Sequence, residues 1–150
     1  MKKEENKIGY KISKIQTVKF EFKEVDQNIV DEIFKENTPV KINLNFNINI
    51  DKEKSEITID VNTILPEDSN NNYVIHSGRT SFKVLNIEEF YDNENKKFSF
   101  PDNFLIQLLG LSFSHCRALL SVELSRTNFK DQYFLPVVNP NELFSKLFNK

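Results

Sequence analysis

The chain has one cysteine, no tryptophan, one methionine and three glycines in 150 residues, and each scarcity closes off a class of protein. A single thiol, Cys116, excludes an internal disulfide. The glycines stand singly at 9, 78 and 110, so no glycine-rich loop can cradle a phosphate. His76 and His115 with the lone cysteine make a thin ligand set, because metal binding needs three or four converging donors. An excess of one charge is also missing. With 20 basic and 22 acidic residues the net charge is −2, which gives no basic footprint for nucleic acid or an anionic membrane. No apolar run reaches the ~18 residues that span a bilayer, and Gly110, Ser112 and His115 interrupt the best candidate. Met1 to Lys7 is charged and leads into no apolar signal core, so residues 1–7 read as a flexible tail before one domain over 8–150. These features predict a soluble, cytoplasmic protein.

What is abundant is phenylalanine, 14 residues of it, which concentrates the apolar area in a few large rings. Ile8 to Lys23 reads as a strand, with Val18, Phe20 and Phe22 on one side and Thr17, Lys19 and Glu21 on the other. Glu24 to Thr38 lacks alternation; Val25, Ile29, Val30, Ile33 and Phe34 fit one or two helical turns or an apolar connection. From Val40 to Ile50 the period is clearest. Val40, Ile42, Leu44, Phe46, Ile48 and Ile50 face one way, and Lys41 and four asparagines the other. A short polar turn at 51–55 joins it to a third strand carrying Ile57, Ile59, Val61, Thr63 and Leu65. Residues 66–72 have loop chemistry, and Tyr73 to Leu85 is a fourth strand with a bulge expected at Gly78. Ile87 to Phe98 reads as a connector or short helix.

A long helix follows. Pro101 suits its first turn and Asp102 its dipole. Phe104, Leu105, Leu108, Leu109, Leu111, Phe113, Cys116, Leu119, Leu120 and Leu124 have helical spacing but cover more than one face. Such a helix must be buried on two sides, and one small sheet covers only one, so a second surface is implied, with another subunit as the candidate. Asn139 as cap and Pro140 at the first position open a terminal helix over 140–149. Strands first and helices last predict an α+β fold, a four-stranded antiparallel sheet packed on the long helix.

The sequence offers little catalytic chemistry. His115 and Cys116 are adjacent on a helix and point about 100° apart, so they do not face each other as base and nucleophile. A buried thiol acting as a small hydrophobe is the simpler reading. Glu88, Glu89, Asp92 and Glu94 fit an exposed acidic loop better than paired catalytic carboxylates. No enzyme, metal or cofactor is expected. What remains is surplus apolar surface, which serves either as a lid over the core or as a groove for apolar segments of another chain.

One resemblance is specific. A long helix with an internal Arg117, a closing Ser125-Arg126 and Phe129, then Leu135-Pro136-Val137, Asn139 and Glu142-Leu143-Phe144 resembles the bacterial export chaperone family SecB. That family ends its chain in this place with Arg-Gly-Thr-Phe and Ala-Pro-Val-Asn-Phe-x-x-Leu-Phe. The likeness covers most of 8–148, though only the last third carries specific strings. Upstream, Ile12 to Glu21, Phe34, Pro39, Tyr73-Val74-Ile75 and Phe82 also fit. The resemblance implies a cytosolic homotetramer, a dimer of dimers with helices between sheets. It also implies an ATP-independent holdase that binds unfolded preproteins in apolar grooves and passes them to the motor SecA, without cofactor or catalysis. Related chaperones instead guard one antitoxin of a toxin–antitoxin system, and that alternative stays open.

On this basis Ile29, Ile33, Phe34, Phe46, Leu109 and Phe113 are the candidates for the peptide groove. Leu108, Cys116, Leu119 and Leu120 are those for helix contacts in a tetramer, and Glu21 for motor docking. The departures are informative. The family's crossover Trp falls at Asn37 or Thr38, its helix Pro at Ser114, and the Tyr two before the arginine at His115. Its other acidic docking positions fall at Thr17 and His76, and this chain lacks the family's strong acidity.

Overall fold

A computed structural model of the chain describes residues 8–35, 42–65, 72–130, 135 and 138–148. The expected residues 1–7 tail, the 66–71 part of the loop and most of the Leu-Pro-Val string lie outside that set. The fold is α+β, with a four-stranded antiparallel sheet in the order β1-β4-β3-β2. Its strands are β1 (Tyr10–Phe22), β2 (Asn43–Asp51), β3 (Glu56–Leu65) and β4 (Val74–Val84). A four-residue turn joins β2 to β3, β3 pairs antiparallel with β4, and β1 pairs with β4, so the segment after β1 must cross to the opposite edge. That segment holds α1 (Gln27–Ile33), the helical turns allowed by the spacing of Ile29, Val30 and Ile33.

The alternation of β3 translates directly into packing: Ile57, Ile59, Val61, Thr63 and Leu65 are all fully buried beneath the long helix α2 (Asp102–Leu124). Leu108, Leu109, Phe113, Cys116, Leu120 and Leu124 return that contact from the helix. Pro101 lies just outside α2 rather than within its first turn. Its carbonyl accepts the first helical bonds, from Phe104 N at 3.1 Å and Leu105 N at 3.3 Å.

The bulges are on β1 rather than at Gly78. The β1–β4 register slips between Ile12 and Lys14 and again between Thr17 and Lys19, leaving Ser13 and Val18 as the extra residues. Each slip inverts the parity of the strand. Thr17 therefore shares the helix-side face with Phe20 and Phe22, and Val18, expected beside them, is an exposed residue of the bulge. Gly78 answers a different need, the close approach of α2. A Cβ there would stand 3.1 Å from Leu119 Cδ1.

Between β4 and α2 the chain makes a single 3-10 turn at Ile87–Phe90 and a small hairpin, β5 (Tyr91–Asp92) with β6 (Lys97–Phe98). Asp92 Oδ1 accepts from the backbone N–H groups of Glu94 and Asn95, which closes the hairpin turn. The last element is α3 (Pro140–Phe148), capped by Asn139, whose Oδ1 accepts from Asn141 N at 2.9 Å. Helix α3 provides part of the second cover that α2 requires: a Cβ on Gly110 would meet Pro140 at 2.9 Å. Arg117 Nε donates to Leu135 O at 2.9 Å on the same flank. At 23 residues, with a mean hydropathy of 1.4 over its best window, α2 is long and apolar enough to cross a membrane by length and composition, polar interruptions notwithstanding. Its buried stripe is occupied by the chain's own sheet.

Candidate functional site

The two edges of the sheet are built differently. Strand β1 carries Lys11, Lys14, Lys19 and Glu21 and both bulges, the devices that discourage pairing with another strand. Strand β2 has neither. Its nine residues pair with β3 in unbroken register, no charged side chain precedes Asp51, and no strand among those described lies on its outer side. Every second backbone unit along such an edge has its N–H and C=O directed away from the sheet.

The helix-side face of β2 is also incompletely covered. Leu44, Phe46, Ile48 and Ile50 are half-buried, whereas their β3 neighbours are sealed. Phe46 stacks on Phe113 with ring centroids 6.4 Å apart and planes at 28°. Phe113 and Leu109 lie beneath it in the core, so of the groove candidates on these elements only Phe46 reaches the surface.

The connector candidates sit elsewhere along the chain path. In α1, Val30 is fully buried and anchors the helix, while Ile29 is 38% exposed and Ile33 and Phe34 are half-buried. Phe34 and Phe22 both meet the buried Phe129 edge-to-face at 5.2 Å. Asn128 Nδ2 donates to Val25 O at 2.7 Å, fastening the connector to the turn after α2.

The residues expected to make helix contacts in a tetramer are mostly core residues of the chain itself. Leu108, Cys116 and Leu120 are enclosed against the sheet, and Leu119 is half-buried over Gly78. The helix surface open to a partner is instead the stripe of Gln107, Ser114, Ala118 and the 66%-exposed Val122. Glu21 is exposed on the sheet face away from the helix, 3.8 Å from Lys19 Nζ. Thr17 and His76, aligned with acidic docking positions of the resembled family, lie on the opposite, helix-side face. They are bonded to each other, Thr17 Oγ1 to His76 Nε2 at 3.0 Å.

One pairing was invisible to sequence spacing. His76 and Cys116, 40 residues apart, bring Nδ1 and Sγ to 3.7 Å in the interior, while the adjacent His115 turns away to Thr80 Oγ1 at 2.9 Å. Burial pushes the Cys116 thiol up to about 11 and His76 down to about 4, so both are neutral near pH 7. A neutral, sealed pair of this kind is a packing element and not an activated nucleophile. Among the described residues, no three His, Cys, Asp or Glu side chains converge as metal ligands would.

No protein-family model matches the chain, and no curated protein matches it either.

Proposed function

We propose that the chain is a SecB-like holdase, a chaperone that captures unfolded polypeptide on an apolar sheet edge without ATP, cofactor or catalysis. The observation that carries this reading is β2, an edge in unbroken register with β3, without a charged side chain before Asp51, whose Leu44, Phe46, Ile48 and Ile50 are left half-covered. An extended client laid along it gains main-chain hydrogen bonds, and each apolar side chain it buries contributes ~25 cal/mol per Å². Such recognition tolerates many sequences, as a holdase requires. Unfolded preproteins held for the Sec translocase are the clients the family likeness suggests. Handover to SecA has weaker support, since Glu21 alone of the aligned docking positions is an exposed carboxylate.

The working assembly in this proposal is a cytoplasmic homotetramer. Exposed Ile12, Ile15 and Val18 on β1 and Val122 on α2 are apolar surfaces that copies of the chain would cover. Light-scattering mass, measured alone and with a permanently unfolded polypeptide, tests both parts. A particle of about 70 kDa, four chains of 17.6 kDa, that gains mass with the polypeptide supports the general holdase. A tetramer that ignores it favours a chaperone dedicated to one partner, such as an antitoxin. A monomer that ignores it overturns the proposal.

A further inference from the structure

Beyond capture as such, the outward face of β2 carries chemistry that the apolar face does not explain. Asn43, Asn45, Asn47 and Asn49 repeat along it at every second residue. They stand in register with Ile64, Asn62, Asp60 and Thr58 of β3. A relay of side chains runs across the sheet toward the open edge. Ser77 Oγ on β4 donates to Asn62 Oδ1 at 2.5 Å, and Asn62 Nδ2 donates to Asn45 Oδ1 at 2.8 Å. Asn45 Nδ2 is the next donor in that line, and it has no partner among the described residues. Asn47 and Asn49 are exposed and likewise make no side-chain hydrogen bond among the described residues.

We infer that β2 selects its partner strand by side chain as well as by backbone, and that the preferred segment alternates aliphatic residues with amide or hydroxyl residues. This rests on the capture reading above and names the class of client for the same edge. The physical reason is that residues directly opposite on paired strands share a face. A client aligned on β2 must place one set of its residues over Leu44, Phe46, Ile48 and Ile50 and the other set over the asparagines. Aliphatic residues suit the first set. For the second, an amide or hydroxyl offers Asn45 Nδ2 an acceptor and returns a donor to the next asparagine, extending the relay by one strand. A lysine there supplies no acceptor and a carboxylate no donor. Opposite a neutral amide, either charge is also partly desolvated without a counter-charge. From Asn43 to Ile50 the edge carries no charge and thus favours neutral polar alternation over the mixed charge of an average unfolded chain.

The test uses the full chain and three peptides of nine residues, the length of β2. Each alternates isoleucine or valine with one polar type: asparagine, lysine or aspartate. Fluorescence anisotropy should show the amide peptide binding about tenfold more tightly than either charged one, the scale expected of a few favourable cross-strand pairs. Methylating its alternate backbone nitrogens on the sheet-facing side should abolish binding. The double variant N45D/N47D, at two exposed positions and with its fold checked by circular dichroism, should lose the amide preference and gain the lysine peptide.

Equal binding of all three peptides overturns the inference. If a permanently unfolded polypeptide is still captured in that case, the holdase reading stands without the selectivity. Failure of both peptides and polypeptide removes the two together. A preference unchanged in N45D/N47D also overturns it, because the asparagines would then not be the reader. So does a wild-type particle that no peptide can enter and that halves its mass on the double substitution. The edge would then be an interface between copies of β2.

Discussion

Gly78 lies directly under Cys116, with the Cα of Cys116 3.4 Å from the position a Gly78 Cβ would occupy. This contact sets the spacing of α2 over the sheet. The nearest atom, Leu119 Cδ1 at 3.1 Å, is the end of a flexible side chain, so alanine can be admitted by a small shift of Leu119. Gly78→Ala is expected to cost about 1 kcal/mol, and Gly78→Val about 3 kcal/mol because its branches meet the helix backbone. Urea midpoints of the two variants check the order; equal stability would mean that the helix does not rest on this glycine.

Stability should fall as pH drops from 6.5 toward 4, and His76 is the cause. The unfolded chain takes up a proton on this ring near the ordinary 6.5, while burial holds the folded ring at about 4. Between those values the unfolded state binds more protons, so the contribution is complete above pH 6.5 and is lost on acidification. The limit is about 3 kcal/mol. His115, also lowered by burial, acts in the same direction. Urea unfolding at pH 7 and pH 5 should show this loss in the wild type and a flatter profile in His76→Gln, whatever the variant's absolute stability.

Cys116 should be inert toward thiol reagents in the folded protein. Burial raises its thiol to about 11. The sulfur is also sealed from solvent. Reaction with a disulfide reagent at pH 8 is expected to follow global unfolding, and so to accelerate steeply near the urea midpoint. Rapid labelling without denaturant would show that α2 lifts locally from the sheet.

The strands and the long helix were legible because their periods are regular. The spacing of Ile57, Ile59, Val61 and Leu65 predicted a face that is indeed sealed. β1 was misread at Thr17 and Val18 alone, because a bulge inverts parity while leaving no residue-type signal and Val18 is an ordinary strand former; Phe20 and Phe22 do share a face opposite Lys19 and Glu21. A helix apolar on several sides was legible at α2, but its register was not. Leu108 and Leu120 were assigned to a partner and Leu109 to a groove, although all three pack on the sheet. Where every turn offers a leucine, composition alone does not say which leucine faces inward. The His76–Cys116 pair was illegible for a different reason, since only the packing of α2 across β4 brings the two together.

Phe129 should control how firmly the crossing segment is held. It is fully buried after the end of α2, and the rings of Phe22 and Phe34 meet it edge-to-face from β1 and from the end of α1. Beside it, Asn128 holds Val25 O, so one short turn holds the chain on both sides of α1. Phe129→Ala removes the shared ring and is expected to cost about 3–5 kcal/mol. Asn128→Ala removes only the hydrogen bond and should cost about 1 kcal/mol. The milder variant is the more instructive. The α1 amides of Val30 and Phe34, bonded to Asp26 O and Val30 O, should exchange with solvent faster in Asn128→Ala, while the β3 amides keep their wild-type protection. If client capture also changes in that variant, with the sheet intact, the connector belongs to the binding surface. If exchange at α1 quickens and capture does not change, binding is confined to the β2 edge and the connector serves as a lid over the core.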